Sequence, residues 1–309
     1  MEKRYTDYNT YLRSLFGCRV QKISLDAGLS CPNRDGTLGI SGCIYCNDKG
    51  SGTGGFCQGL SISQQISQSM DKMTRRYKAK KFIAYFQSFS NTYAPLSKLK
   101  QIYDEALTFP DVVGMAIGTR PDCISMEILD LLAGYSKTHL IWIEYGLQSA
   151  NDTTLKRINR GHTVQCFLDA VSETRERGIY ICAHVILGLP GETPEMMRHT
   201  AQVIADSGID GIKIHLLYVI RNTPLDALYQ RGEYTCMTRE EYTDSVCDFL
   251  ELLPPRIIIQ RLTGDPHPKE LIAPLWALEK TQNLFHIQQT LKMRNTWQGK
   301  YHAERKVNS

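Results

Sequence analysis

The chain has 309 residues, of which 42% are hydrophobic and 22% are charged, and its formal net charge is +4. This composition excludes a disordered or collagen-like chain, and the length allows a folded core without disulfides. No run of about 18 uncharged apolar residues occurs, so no membrane span is expected. The small positive charge permits a nucleic-acid partner without requiring one.

The predicted elements alternate between β-branched runs and amphipathic segments. Strands are expected at 20–25, 81–87, 112–118, 140–146, 179–187, 212–219 and 256–262. Helices are expected at 62–77, 97–107, 125–133, 163–177, 194–207 and 239–252. This alternation predicts an α/β fold built on a parallel sheet: a full or partial (β/α) TIM-like barrel, or else a doubly wound sheet. In both folds the chemistry lies at the C-terminal ends of the strands.

Three parts are expected along the chain. These are an N-terminal segment over 1–19, a barrel core over 20–255, and a C-terminal extension over 256–309 that closes or flanks the barrel. The first residues, MEKRYTDYNTYLRSLF, contain no apolar signal segment, so a cytoplasmic protein is expected.

Three of the ten cysteines share one loop directly after the first predicted strand. Eleven residues separate Cys31 from Cys43, and two separate Cys43 from Cys46. A Cys-x-x-Cys pair can place both thiolates on one metal or one cluster. Three thiolates on a four-iron cluster leave one iron open to a substrate or cofactor. The alternative is a zinc site completed by Cys57 or by a histidine.

Six segments of the chain resemble the radical S-adenosylmethionine (SAM) superfamily, and within it the YhcC/YtqA-like branch, a distant relative of the Elongator catalytic subunit. They are LDAGLSCPNRDGTLGISGCIYCN, YFQSFSNTYAPL, WIEYGLQSANDTTLKRINRGHT, HVILGLPGET, IKIHLLYVIRNTPL and QRLTGDPHPKELIAPLW, which span residues 25–276. The resemblance implies a barrel that carries one 4Fe-4S cluster on Cys31, Cys43 and Cys46. It also implies SAM as cofactor and a reductant protein such as flavodoxin or ferredoxin.

The same resemblance implies reductive cleavage of SAM followed by hydrogen abstraction from a substrate. Kinship with Elongator points to tRNA, at the C5 side chain of the wobble uridine. One alternative is a radical SAM enzyme that acts on a small metabolite or a peptide. Another is a non-catalytic iron–sulfur or zinc-binding protein.

Several residues match positions that bind SAM in relatives. Gln148 and Arg160 match the positions that hold the ribose and the methionine carboxylate, and a bidentate arginine suits a carboxylate. Other matches are His184 and Gly188 near the adenosine, Leu217 and Tyr218 against the adenine, and Gln87 and Ser88 where a glycine-rich motif often receives the SAM amino group. This chain lacks those glycines. His184 is equally explained as a core histidine, and Arg160 as a solvated charge at a helix end.

Further polar residues near the strand ends are substrate-side candidates. They are Asn91, Arg120, Glu144, Arg221, Arg261 and Asp265. By strand alternation Glu144 shares a face with Gly146 and Gln148, so it lines the barrel mouth or is a paired internal charge. Arg120 contacts a ligand or forms a loop salt bridge.

A basic tail is the last feature that bears on an RNA substrate. Its residues are Lys292, Arg294, Lys300, Arg305 and Lys306, with Trp297 and Tyr301 between them. We expect the three substrate-side arginines to converge at the barrel mouth with this tail nearby, because phosphate contacts supply most non-specific affinity for nucleic acid. The alternative for the tail is a frayed terminus.

Overall fold

Within residues 4–48, 50 and 55–302, which the computed structural model describes, nine strands form a seven-stranded parallel sheet and a two-stranded antiparallel sheet. They are β1 (Val20–Leu25), β2 (Lys81–Phe86), β3 (Val112–Thr119), β4 (Leu140–Gln148), β5 (Tyr180–Leu187), β6 (Gly211–Leu216), β7 (Val219–Ile220), β8 (Ile258–Arg261) and β9 (Leu271–Ala273). Seven of them pair in the order β1-β2-β3-β4-β5-β6-β8. Within the described ranges β1 does not pair with β8, so the sheet is a curled half-barrel, which confirms the predicted partial (β/α) barrel.

Ten α-helices of the described residues connect or flank the strands. They are α1 (Tyr8–Phe16), α2 (Ile62–Tyr77), α3 (Leu96–Leu107), α4 (Met126–Ser136), α5 (Asp152–Arg157), α6 (Val164–Arg175), α7 (Pro194–Ser207), α8 (Pro224–Gln230), α9 (Arg239–Leu252) and α10 (Lys280–Met293). Local signals set their ends: Ser61 and Gln64 form a capping box before α2, and Gly208 ends α7 in the left-handed conformation. All six predicted helices are present. None of the helices in the described ranges is both long and apolar enough to cross a bilayer.

The sixth predicted strand is shorter than its apolar run. β6 ends at Leu216, while Val219 and Ile220 form β7, which pairs antiparallel with β9. The prediction of one strand over 212–219 is therefore wrong. Leu217 and Val219 are buried in a separate apolar cluster, together with Leu225. An apolar run alone does not show which of two clusters buries it.

The N-terminal end of the half-barrel is filled by apolar side chains. Tyr8 and Tyr11 of α1 pack edge-on against Trp142, with ring centroids 5.8 and 6.3 Å away. The residues before α1 extend the sheet edge, where the Ile259 amide donates to the Thr6 carbonyl at 2.8 Å. This end is therefore closed, and polar groups are confined to the middle and the C-terminal end of the barrel.

The described part of the basic tail docks at this same closed end. The Gln298 side-chain amide donates to the carbonyls of Pro254 and Ile257, both at 2.8 Å, just before β8 begins. Arg294 pairs with Asp244 and Asp248 of α9. The expectation that the tail lies near the barrel mouth is wrong, because these buried bonds hold it at the opposite end. Arg305 and Lys306 lie outside the described residues.

Candidate active site

The loop that follows β1 brings three thiols together. The Cys46 amide donates to the Cys43 carbonyl at 3.0 Å, and the Arg34 amide donates to the Cys31 carbonyl at 2.8 Å. Burial, together with the nearby thiols of Cys43 and Cys31, raises the pKa of Cys46 to about 11. Cys57 is exposed on a separate turn over Phe56–Gln58.

The spacing of these thiols does not suit a single zinc ion. Within the described ranges, the one group of three ligand atoms that lie within 4.8 Å of one another is Glu144, Cys182 and His184, inside the barrel. Ligand sulfurs on one tetrahedral zinc lie about 3.8 Å apart, given a Zn–S distance of about 2.3 Å. The three loop thiols do not all lie that close together, and their donor set fits a multi-iron cluster.

Hydrogen bonds connect the cysteine loop to the loop after α5. The Asn33 side-chain amide donates to the Asn159 carbonyl at 2.5 Å, and the Asn159 side-chain amide donates to the Gly42 carbonyl at 2.7 Å. Ile44 and Tyr45 pack on the same apolar cluster as Leu217. These contacts fix the thiols relative to the end of β4.

Arg160 lies between the cysteine loop and β4. It is 7% exposed, its Nη1 is 3.6 Å from the Cys43 sulfur, and its Nε and Nη2 donate to the Gly146 carbonyl at 3.1 and 2.6 Å. A Cβ at position 146 would stand 2.5 Å from Nη2, so glycine is required there. Gln148 closes β4 with a φ of +76°, an uncommon conformation for a non-glycine residue, and its amide lies over Gly146.

Arg120 forms a hydrogen bond to the backbone of Arg160 and so positions that residue. Its guanidinium forms a fork with Asp122, at 2.8 and 2.6 Å, and Nη1 donates to the Arg160 carbonyl at 2.6 Å. The side chain is 2% exposed. Arg120 thus forms the loop salt bridge and does not face solvent. The expected contact with phosphate is therefore wrong, because Asp122 already binds the guanidinium.

The end of β2 offers unpaired polar atoms next to the cysteine loop. The Ser90 amide donates to the Ser30 carbonyl at 3.2 Å, and the Asn91 side-chain amide ties the Ser88 and Gly118 carbonyls together at 2.9 Å. Ser88 Oγ and Asn91 Oδ1 are buried without a hydrogen-bond partner among the described residues. Buried orphan atoms beside three thiols fit a polar cofactor such as SAM. Gln87 begins this loop, and its backbone amide donates to the Leu25 carbonyl.

The GLPGE segment after β5 completes the rim. Gly188 has a φ of +83° and lies against Met237, which a Cβ would approach to 2.9 Å. Glu192 accepts hydrogen bonds from Ser149 and Asn151 and so joins the β5 and β4 loops. Leu217 is buried, and the Tyr218 ring covers Gly264.

Below the rim, Glu144 is a paired internal charge. It is 1% exposed and contacts Lys22 at 2.5 Å, His184 at 2.8 Å, and Lys213. Despite the burial, the two lysines hold its pKa well below the usual value. Burial lowers the pKa of His184 to about 4, so the imidazole is neutral at pH 7. Because both oxygens of Glu144 are taken by ammonium groups, the Glu144, Cys182 and His184 group does not fit a metal ion.

The remaining substrate-side candidates differ in their exposure and in their partners. Arg221 is exposed, and its backbone amide donates to the Glu270 carbonyl. Asp265 pairs with Lys280 on the surface at 2.7 Å. Arg261 is half-buried at the end of β8 and acts electrostatically on Lys213 and His215. Sequence reasoning did not single out Lys22, Lys213 or His215, although a lysine inside an apolar strand such as IKIHLL is a recognisable signal.

Comparisons with known families and proteins agree with this geometry. The profile of the Radical SAM superfamily matches residues 32–204, and the profile of the Radical_SAM C-terminal domain matches residues 209–293. The uncharacterized protein YtqA of Bacillus subtilis is 40% identical over 300 residues, covering 97% of this chain and 93% of YtqA.

Two further matches are more distant. A tRNA uridine(34) acetyltransferase of Dehalococcoides mccartyi is 30% identical over 156 residues, which cover 50% of this chain and 33% of that protein. The structure of archaeal Methanocaldococcus infernus Elp3 with an N-terminal deletion superposes with a TM-score of 0.70 at 16% identity, over 90% of this chain and 64% of that one. The second match shows a shared fold.

Proposed function

Because the chain belongs to the radical SAM superfamily, whose members use a 4Fe-4S cluster and SAM, we propose that it modifies tRNA at the C5 side chain of the wobble uridine. The observation that carries the radical chemistry is the buried guanidinium of Arg160 beside the Cys43 thiol. It puts a carboxylate-binding group next to three clustered thiols at the C-terminal end of a barrel.

Each part of the chain has a separate task in this proposal. Cys31, Cys43 and Cys46 would hold the cluster, and Arg160 would bind the SAM carboxylate. The Ser88 and Asn91 atoms would take the SAM amino group. A bound cluster would supply the electron for reductive cleavage of SAM, and the cleaved SAM would supply the hydrogen abstraction from the substrate. The closed N-terminal end of the barrel keeps water from that end of the site.

Two observations support tRNA as the substrate. The first is the similarity to the tRNA uridine(34) acetyltransferase, from which acetyl transfer is not carried over. The second is charge at the mouth: Lys156 and Arg157 at the end of α5, with Arg221 and Lys269 in loops, are exposed in segments that follow the strand ends, and none forms an ion pair with another described residue. Unpaired cations around a site suit a polyanion.

The electron must come from a donor protein, for which we propose a flavodoxin or ferredoxin, and we place the reaction in the cytoplasm. We also propose a functional division into an N-terminal segment over 1–19, a core over 20–255 and an extension from 256, whose first strand, β8, completes the sheet.

Mass spectrometry of nucleosides from bulk tRNA tests the proposal. We expect a strain without this gene to lack one modified wobble uridine, and the wild-type gene to restore it. The Arg160→Gln variant should fail to restore it, whereas Arg231→Gln, on an exposed ion pair with Glu233, should restore it. Identical nucleoside profiles in the two strains would remove tRNA and favour a small metabolite or a peptide as the substrate.

A further inference from the structure

The interior of the half-barrel carries more positive than negative charge. Lys22, Lys213 and Arg261 stand there with the single carboxylate Glu144, which already binds both lysines. Lys213 also lies 4.0 Å above the Tyr85 ring, and burial lowers its pKa to about 7. Arg261 has no ion-pair or hydrogen-bond partner among the described residues. Three cations and one carboxylate leave an excess of positive charge, and Arg261 is the one of the three cations that this carboxylate does not bind.

The strand register places this charge at the level of the SAM site. Gly146 pairs with His184, His184 with Lys213, and Lys213 with Arg261, across four neighbouring strands. Gly146 is the residue whose carbonyl binds Arg160. One row of residues thus connects Arg160 to Arg261 across the barrel.

A bulge turns the end of β8 inward. Ile212 pairs with Ile259, but the next residue, Lys213, pairs with Arg261, so Gln260 is the extra residue. Bulges change the direction of the side chains that follow and are frequent beside active sites. Arg261 is the last residue of β8, so it stands towards the C-terminal end of the barrel, away from the end that α1 fills.

A second donor without a partner lies beside Arg261. His215 Nε2 is buried and has no hydrogen-bond partner among the described residues, and its ring centroid is 5.3 Å from that of His184. A neutral imidazole carries one N–H. A buried polar atom without a partner is costly, so it calls for a ligand atom.

We propose that Arg261 and His215 form a subsite that binds an anionic group of the substrate, a carboxylate or a phosphate. Arg261 supplies the charge and the planar fork, and His215 supplies a further hydrogen bond. The proposal rests on the radical SAM reaction proposed above, but it does not depend on tRNA as the substrate. It implies that the abstracted hydrogen lies between the anion and the SAM site.

Calorimetric titration of the full, anaerobically reconstituted protein tests this subsite. The probes are inorganic phosphate and malonate, each at constant ionic strength, without tRNA. We expect one saturable site in the wild type, and at least a tenfold weaker affinity in Arg261→Gln. His215→Phe should also weaken binding, and Arg231→Gln, on the exposed surface, should not change it. Tighter phosphate binding would identify a phosphate group, and tighter malonate binding a carboxylate.

The control for folding is iron content, which should be equal in all variants. If Arg261→Gln loses iron, Arg261→Lys and His215→Phe decide the question. Absence of binding would overturn the proposal. Equal binding in the wild type, in His215→Phe and in both Arg261 variants would mean an adventitious ion only and would also overturn it. Because the titration uses no tRNA, its result does not change if the substrate proves not to be tRNA.

Discussion

The guanidinium of Arg160 lies 3.6 Å from the thiol of Cys43, although 117 positions separate the two residues. Two loops make this possible: the cysteine loop after β1 and the loop after α5, which Asn33 and Asn159 bind together. The contact defines one site from two distant motifs, and the first two predictions follow from it.

The three-cysteine site predicts a sharp division among the ten cysteines. Replacing Cys31, Cys43 or Cys46 by alanine should remove most of the iron from reconstituted protein, because each removal leaves an iron without its protein ligand. Cys57→Ala is the matched control, since Cys57 is exposed on a separate turn. Iron and sulfide are measured per chain. A loss of iron in Cys57→Ala equal to that in Cys43→Ala would contradict the three-ligand site.

Replacing Arg160 should separate SAM binding from cluster binding. Arg160→Gln removes a charge-assisted hydrogen bond worth about 1.5–3 kcal/mol, which is roughly a ten- to hundredfold loss in SAM affinity. Iron content should stay close to that of the wild type. Equilibrium binding of SAM to reconstituted protein measures the effect, with Arg231→Gln, on an exposed ion pair with Glu233, as the control. Equal affinities would assign Arg160 a structural role.

The Glu144 pair predicts a strong effect on stability. Glu144→Gln leaves Lys22 and Lys213 buried without a carboxylate, and breaking such a pair costs about 3–5 kcal/mol. The surface pair of Asp265 and Lys280 is the control, because Asp265→Asn should cost about 0–1 kcal/mol. Urea unfolding of the protein measures both. Equal changes in the two variants would contradict a stabilising role for Glu144.

His184 predicts a specific loss of stability in mild acid. Its pKa is lowered to about 4 by burial, and then by Lys213, from an ordinary value of 6.5. Between pH 6.5 and 4 the unfolded chain therefore binds a proton that the folded chain does not, so the free energy of unfolding falls as the pH falls through this window. The shift corresponds to roughly 3 kcal/mol. His184→Gln should flatten the profile over this range, whereas the exposed His139→Gln should not.

The charge at the mouth predicts which residues set the salt dependence of tRNA binding. Lys156→Gln with Arg157→Gln should weaken binding and reduce the slope of log affinity against log salt by about 0.7–0.9 for each phosphate that is no longer neutralised. Lys300→Gln should leave the slope unchanged, because Lys300 lies at the closed end between Trp297 and Tyr301. Filter binding across a salt series measures both. A larger effect of Lys300→Gln would contradict the mouth as the tRNA surface.

The sequence by itself predicted most of the elements and placed the three thiols of the candidate site in one loop. Apolar periodicity located six helices, and the 31–46 loop identified the three thiols, because helix spacing and Cys-x-x-Cys geometry are local properties. Alternation along β4 also placed Glu144 on the inner face with Gly146. It left open whether that carboxylate was paired.

Only the tertiary structure decided what these side chains contact. Glu144 pairs with lysines from β1 and β6, and Arg120 donates to the carbonyl of Arg160, 40 positions away. Gln298 holds the tail at the closed end of the barrel, far from the mouth. In each case the partner depends on which strands become neighbours and on which polar groups burial leaves without water. Those relations arise from packing across the whole chain, and residue spacing does not contain them.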